Sequence, residues 1–110
     1  DAGFRVVCID LPGFGLSTRP RFPSSADGSA AEDKFVAAIE SWRGEMRLDD
    51  VIIGGHSFGG YLAASYAMTH PSRCTQLVLI DPWGLPGRDP EALKNAPLGR
   101  RILVNCFAAL

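Results

Sequence analysis

GGHSFGG, residues 54–60, decides the fold. Within it, Gly55-His56-Ser57-Phe58-Gly59 fits the spacing of a turn that exposes a serine between a strand and a helix. Such a turn holds the serine in a strained backbone conformation and forces the residues two before and two after it close together. Both are therefore expected to be small, and Gly55 and Gly59 are. The context agrees. Val51–Gly55 (VIIGG) is a consecutive apolar run of the kind a buried parallel strand shows. Phe58–Thr69 (FGGYLAASYAMT) is apolar all round and rich in Ala, as a helix packed on a sheet is, and His70-Pro71 ends it. Gly60, Ala63 and Ala64 let that helix approach closely. The alternative reading is a glycine-rich turn in which Ser57 only caps the helix.

Working outward, Arg5–Asp10 (RVVCID) and Gln76–Asp81 (QLVLID) repeat the apolar, β-branched pattern and predict two more strands, each with both faces covered by helices. Phe35, Ile39, Trp42 and Met46 are spaced four, three and four, which predicts one helical stripe. Leu16–Ser29 reads as a loop. Strand, helix, strand, helix, strand predicts right-handed crossovers and a parallel sheet, an α/β fold. Pro82, Gly84, Pro86, Gly87, Pro90 and Pro97 interrupt the chain after Asp81, and a short apolar run, Ile102–Leu110, follows. Three strands leave two open edges, so the chain is expected to be part of a larger protein.

A serine nucleophile needs a proton acceptor. There are two histidines. His70 lies thirteen residues beyond Ser57 along one helix, ~20 Å at 1.5 Å per residue. His56 precedes Ser57 directly and points to the other side of the strand. Neither serves Ser57. Because the order in this architecture is Ser, acid, His, the base is expected beyond Leu110. The Phe58 N–H, at the start of the helix, is placed to face a developing oxyanion.

Other candidates are weaker. Asp10 and Asp81 end strands at the carboxyl edge, where α/β sites form. Asp81 is read as a carboxylate capping the Pro82–Gly84 turn, with a triad acid as the alternative. Asp10 is read as the organiser of the Leu11–Ser17 loop. Gly13-Phe14-Gly15 begins like a dinucleotide fingerprint, but the third glycine would fall at Thr18, and Pro20 and Pro23 stop a helix there. Arg88, Lys94, Arg100 and Arg101 read as a solvated surface, with a phosphate headgroup as the alternative.

The chain has 110 residues, 46% of them hydrophobic, and a net charge of −1. It is long enough for a packed domain, and nothing global favours nucleic acid. The three cysteines, Cys8, Cys74 and Cys106, fit neither a disulfide framework nor a zinc site and read as buried free thiols in a reducing compartment. No basic-then-apolar leader or membrane-length apolar run is present. A cytoplasmic location is expected, with no cofactor and no metal.

These residues resemble the α/β-hydrolase fold and, more narrowly, the subfamily of α/β-hydrolase domain-containing proteins 4 and 5. DLPGFGLSTRPRF (10–22), FVAAIESWR (35–43), GGHSFGGYLAASYAMTHPSR (54–73) and LVLIDPWGLPGR (77–88) follow that subfamily's motifs in order. The resemblance implies a hydrolase core over residues 1–84 and the start of an inserted lid over 85–110. It implies Ser57 as nucleophile and the Phe58 N–H as one oxyanion donor. One branch of the subfamily comprises lipases acting on N-acyl phosphatidylethanolamine and its lyso forms. The other is a lipid-droplet coactivator of triglyceride lipase, credited with lysophosphatidic acid acyltransferase activity. Asn replaces the elbow serine in the vertebrate coactivator, so Ser57 favours the hydrolase branch. The implied partner is a lipid or acyl-ester substrate at a lipid-droplet or membrane surface.

Overall fold

The computed structural model describes residues 3–22 and 28–84. Helix α1 spans Gly28–Glu45, strand β1 Val51–Ser57, helix α2 Phe58–Thr69 and strand β2 Cys74–Pro82. β1 and β2 pair in parallel, with Ile53 opposite Leu77, Gly55 opposite Leu79 and Ser57 opposite Pro82. The crossover between them is α2, as the alternation of patterns predicts. The expected lid, residues 85–110, and Cys106 lie outside the described residues.

α2 is the centre of the packing. Its Leu62 and Tyr66 are buried against Val36 and Ile39 of α1, while Ala63 and Ala64 are buried against Leu77 and Leu79 of β2. A helix held between another helix and a sheet has no solvent face over most of its length, which is why its sequence is apolar all round. The small Ala63 and Ala64 face the sheet, where close approach is needed, and the bulky pair faces α1.

α1 differs from expectation in extent and in face. It starts at Gly28, inside the stretch read as a loop, and ends before Met46. Its buried row is Val36, Ile39 and Arg43, flanked by half-buried Phe35 and Trp42, and Met46 is exposed. Arg43 takes a buried place because its apolar stem packs while its guanidinium finds acceptors. Nε and Nη2 donate to the Glu40 carboxylate at 2.9 and 2.7 Å, and Nη1 donates to the Leu48 carbonyl. The Tyr66 hydroxyl donates to the same carboxylate at 2.7 Å, tying α2 to α1. Arg47, at φ 53°, turns the chain out of the helix, and the Leu48 N–H closes on the Arg43 carbonyl at 3.1 Å.

One expectation about the sheet is corrected. Residues 5–10 run without a hydrogen-bonded strand partner among the described residues, and Phe4, Val6, Val7 and Ile9 are exposed, as is Cys8, which was expected to be buried. A cavity of about 810 Å³, lined by Val7, Ile9, Leu11, Ile53, Gly54 and Gly59 among others, separates this segment from β1. An apolar run records what a segment is able to bury, not which neighbour it pairs with. Both described helices lie to one side of the sheet. Ile52, His56 and Ile80, on the other side, are exposed. No helix among the described residues is long and apolar enough to cross a membrane.

The Glu40 carboxyl is held down to about 2, chiefly by the Arg43 hydrogen bonds and next by Tyr66. A carboxyl depressed in the folded state stabilises fully above its unfolded value, about 4.3, and loses that stabilisation as pH falls toward the folded value. Glu40→Gln should therefore lower stability at neutral pH by on the order of 1 kcal/mol. Melts of both proteins across pH 7 to 2 should show the difference closing below about pH 4. A difference that is constant with pH would contradict this role.

Candidate active site

Ser57 stands at the last position of β1 and immediately before α2, with φ 52° and ψ −120°. That is a left-handed conformation which a non-glycine residue adopts only where its surroundings impose it. The surroundings are visible in the glycines. A Cβ on Gly55 would lie 2.1 Å from the Gly59 carbonyl oxygen, and one on Gly60 would lie 2.9 Å from Pro82 Cβ and 3.0 Å from the Gly55 carbonyl oxygen. The chain doubles back so tightly that strand and helix backbones touch. Gly59 was expected to be constrained like Gly55, and it is not: its Cβ would meet nothing within 4 Å, because that side opens on the cavity beside β1. The close approach falls on Gly55 and Gly60, with Gly59 contributing backbone only.

The simple capping alternative does not hold. Ser57 makes no side-chain cap hydrogen bond to α2, and its side chain is exposed at the carboxyl edge of the sheet. Its backbone is pinned from the neighbouring strand, where the Trp83 N–H donates to the Ser57 carbonyl at 2.9 Å. That contact corrects the reading of the Asp81 turn. The Trp83 N–H goes to Ser57 and not to the Asp81 carboxylate, and Asp81 itself takes φ 42°.

Phe58 opens α2, so its N–H belongs to the first turn, where backbone donors have no acceptor within the helix and the helix dipole favours negative charge. Its ring is the hub of an aromatic cluster: Phe35 lies edge-on at 5.5 Å, Phe14 and Trp83 at 6.1 Å, and Tyr61 at 6.4 Å. Phe22 stacks on Phe35 at 4.7 Å. The Tyr61 hydroxyl donates to the Glu32 carboxylate, which raises the Tyr61 pKa and anchors the cluster to α1. The roles of Phe14 and Trp83 were missed in the sequence. Their signal was an aromatic beside a glycine or proline in both GFG and DPWG, the composition of loops that gather at one edge.

Asp10 organises its loop as read. Its carboxylate accepts from the Leu16 N–H at 3.0 Å and its carbonyl accepts from the Ser17 hydroxyl at 2.7 Å. The Gly13 N–H bonds to the Thr18 carbonyl at 2.8 Å, so the loop closes on itself where a dinucleotide fingerprint would open a helix. Neither histidine reaches Ser57. His56 is exposed on the uncovered side of the sheet. His70 caps the far end of twelve-residue α2, its N–H on the Tyr66 carbonyl and its ring 5.1 Å from the Tyr66 ring. Among the described residues, no three His, Cys, Asp or Glu side chains gather as a metal site requires.

Residues 1–103 match the alpha/beta hydrolase fold family, and the chain belongs to that family. Two kinds of curated relative stand out. The chain is 47% identical over 93 residues to the rat protein named 1-acylglycerol-3-phosphate O-acyltransferase ABHD5, covering 84% of this chain and 26% of that one. It is 50% identical over 91 residues to the mouse (lyso)-N-acylphosphatidylethanolamine lipase, covering 81% and 26%. The chain thus spans about a quarter of the length of these relatives. Among solved structures, a serine hydrolase of the bacterium Cycloclasticus zankles superposes with a TM-score of 0.63 at 26% identity, covering 80% of this chain and 33% of that one. A probable hydrolytic enzyme of Pseudomonas aeruginosa superposes with a TM-score of 0.59 at 30% identity, covering 80% and 26%.

The backbone contacts predict an order of tolerance. Gly55→Ala should destabilise by about 1–3 kcal/mol, as overpacking does, because its Cβ meets backbone that cannot step aside. Gly59→Ala should be tolerated and should favour the helix. Melting temperatures of the two variants would test this. Equal losses, or the reverse order, would mean that the turn is built differently.

Proposed function

We propose that the protein is a serine hydrolase of phospholipid-like acyl esters, with Ser57 as nucleophile and the Phe58 N–H as one oxyanion donor. The observation that carries this reading is the Ser57 conformation, φ 52° and ψ −120°, held without a capping bond at the strand–helix junction. A hydroxyl so placed is free to attack. Its oxygen adds to the ester carbonyl carbon, its proton passes to a base from outside the described residues, and negative charge gathers on the former carbonyl oxygen. The first-turn N–H groups of α2 stabilise that charge. Collapse of the intermediate expels the alcohol and leaves an acyl-serine, which water cleaves to acid and free Ser57.

The substrate class is supported by the mouse relative, whose name assigns it to N-acylphosphatidylethanolamine and its lyso form. The aromatic lining around Phe58 suits an acyl chain. The rat relative favours a second reading, since its name assigns it acyl transfer to 1-acylglycerol-3-phosphate. The same acyl-serine serves both chemistries, which differ in whether water or a lipid hydroxyl takes the acyl group.

In the full-length protein, Ser57 should be labelled by a fluorophosphonate probe, and Ser57→Ala should abolish labelling and release of fatty acid. Equal labelling of the alanine variant would overturn the assignment. Adding 1-acylglycerol-3-phosphate to the assay should leave free fatty acid as the main product. Diversion of most of the acyl group to that acceptor would favour the transferase reading.

A further inference from the structure

Trp83 stands one residue beyond the Ser57–Pro82 pair of the parallel ladder, so the register brings it level with the serine. Three contacts fix it there. Its N–H donates to the Ser57 carbonyl at 2.9 Å. Its indole lies 6.1 Å from the Phe58 ring and 6.0 Å, edge-on, from the Tyr61 ring. The backbone that follows is backed by Tyr61 as well, since a Cβ on Gly84 would lie 3.3 Å from Tyr61 Cδ2. Trp83 is nevertheless 64% exposed. An exposed aromatic residue on its own needs no explanation. This one is fastened through main chain and ring beside a candidate nucleophile. A large apolar surface held in that way loses little conformational freedom when a ligand covers it.

The support of the indole is itself anchored at a distance. Tyr61 follows Phe58 by three residues on α2, so the two side chains share a face of the helix. Their rings are 16° from parallel, with centroids 6.4 Å apart. The Tyr61 hydroxyl donates to the Glu32 carboxylate of α1, and both residues are half-buried. A hydrogen bond to an ionised carboxylate is stronger than one between neutral groups. Phenylalanine would fill the same space as the Tyr61 ring, so the hydroxyl adds orientation and not volume. A ring tied at its far end to α1 cannot swing away from the indole that rests on it.

We infer that Trp83 is a specificity-determining residue whose open indole face takes the acyl chain of the ester, and that Glu32 and Tyr61 are positioning residues that hold this face in place. This rests on the reading of the protein as a serine hydrolase, and it assigns the selection of the acyl chain to three named side chains.

The test is the rate of Ser57 labelling in the full-length protein by two alkyl fluorophosphonates, one with a methyl and one with a dodecyl chain. The wild type should react faster with the dodecyl probe. Trp83→Ala keeps the N–H that bonds Ser57 and should lower the dodecyl-to-methyl ratio by about fivefold or more, the effect of one or two methylenes returned to water. Tyr61→Phe and Glu32→Ala should lower the ratio in the same direction. Glu32→Gln, which keeps an acceptor for the hydroxyl, should restore it. Adding Tyr61→Phe to Trp83→Ala should lower it no further, because the pair acts through the indole. An unchanged ratio in Trp83→Ala would overturn the inference. So would equal losses from Tyr61→Phe in both backgrounds, or a Tyr61→Phe variant that melts lower at the wild-type ratio, which would mean that the pair only packs the helices. Labelling of Ser57 by neither probe would defeat the hydrolase reading and the inference with it, whereas labelling by both at ratios that no variant alters defeats the inference alone.

Discussion

Everything near the site depends on one steric constraint, the contact of strand and helix backbones across Ser57. A Cβ at Gly55 would overlap the Gly59 carbonyl. With that space empty, β1 can end and α2 can begin within a single residue, and the residue between them is driven to positive φ. The strain at Ser57 is of order 1–3 kcal/mol, and it is offset by packing on either side of the turn. Leu62 and Tyr66 anchor the helix to α1, Leu77 and Leu79 anchor the strand pair to the helix, and the Trp83 N–H holds the Ser57 carbonyl from β2.

The same constraint arranges the surroundings. Because α2 starts at the turn, the Phe58 side chain emerges at the carboxyl edge of the sheet, and the residues that gather around it come from four separate stretches. Phe14 comes from the Asp10-braced loop, Phe35 and Glu32-bound Tyr61 come from the helix pair, and Trp83 comes from the end of β2. The exposed serine, the first-turn N–H groups and the apolar rim thus share one edge of the fold.

The central unit was legible in the sequence because its signals are local and mutually dependent. The G-x-S-x-G spacing, the apolar run before it and the Ala-rich run after it each require the others, and β1, α2 and β2 lie where they point. Asp10 was legible for the same reason, since a carboxylate that closes a glycine-rich loop acts within seven residues of itself. What was not legible depends on partners distant in sequence. RVVCID reads as a strand, yet pairing requires a neighbour that the run does not specify. Gly55 and Gly59 look equivalent in the motif, and only the packing against α2 and the cavity tells them apart. The helical stripe of α1 kept Ile39 but took Trp42 where Arg43 is the buried residue, because Arg43, a charged residue, is buried through its pairing with Glu40. A hydrophobic pattern cannot register such a residue. The Trp83 contacts depend on β2 ending level with Ser57, which only the register determines.

The central claim is that the strained turn delivers the Ser57 hydroxyl and the Phe58 N–H to one reacting carbonyl. A crystal structure of the full-length protein inactivated with a long-chain alkyl phosphonate tests it most directly. The account predicts phosphorus bonded to Ser57 Oγ, a phosphonyl oxygen about 2.7–3.1 Å from the Phe58 nitrogen, and the alkyl chain lying along the Phe14–Phe58–Trp83 rim. Phosphorus on another residue, or a phosphonyl oxygen turned away from the start of α2, would contradict it.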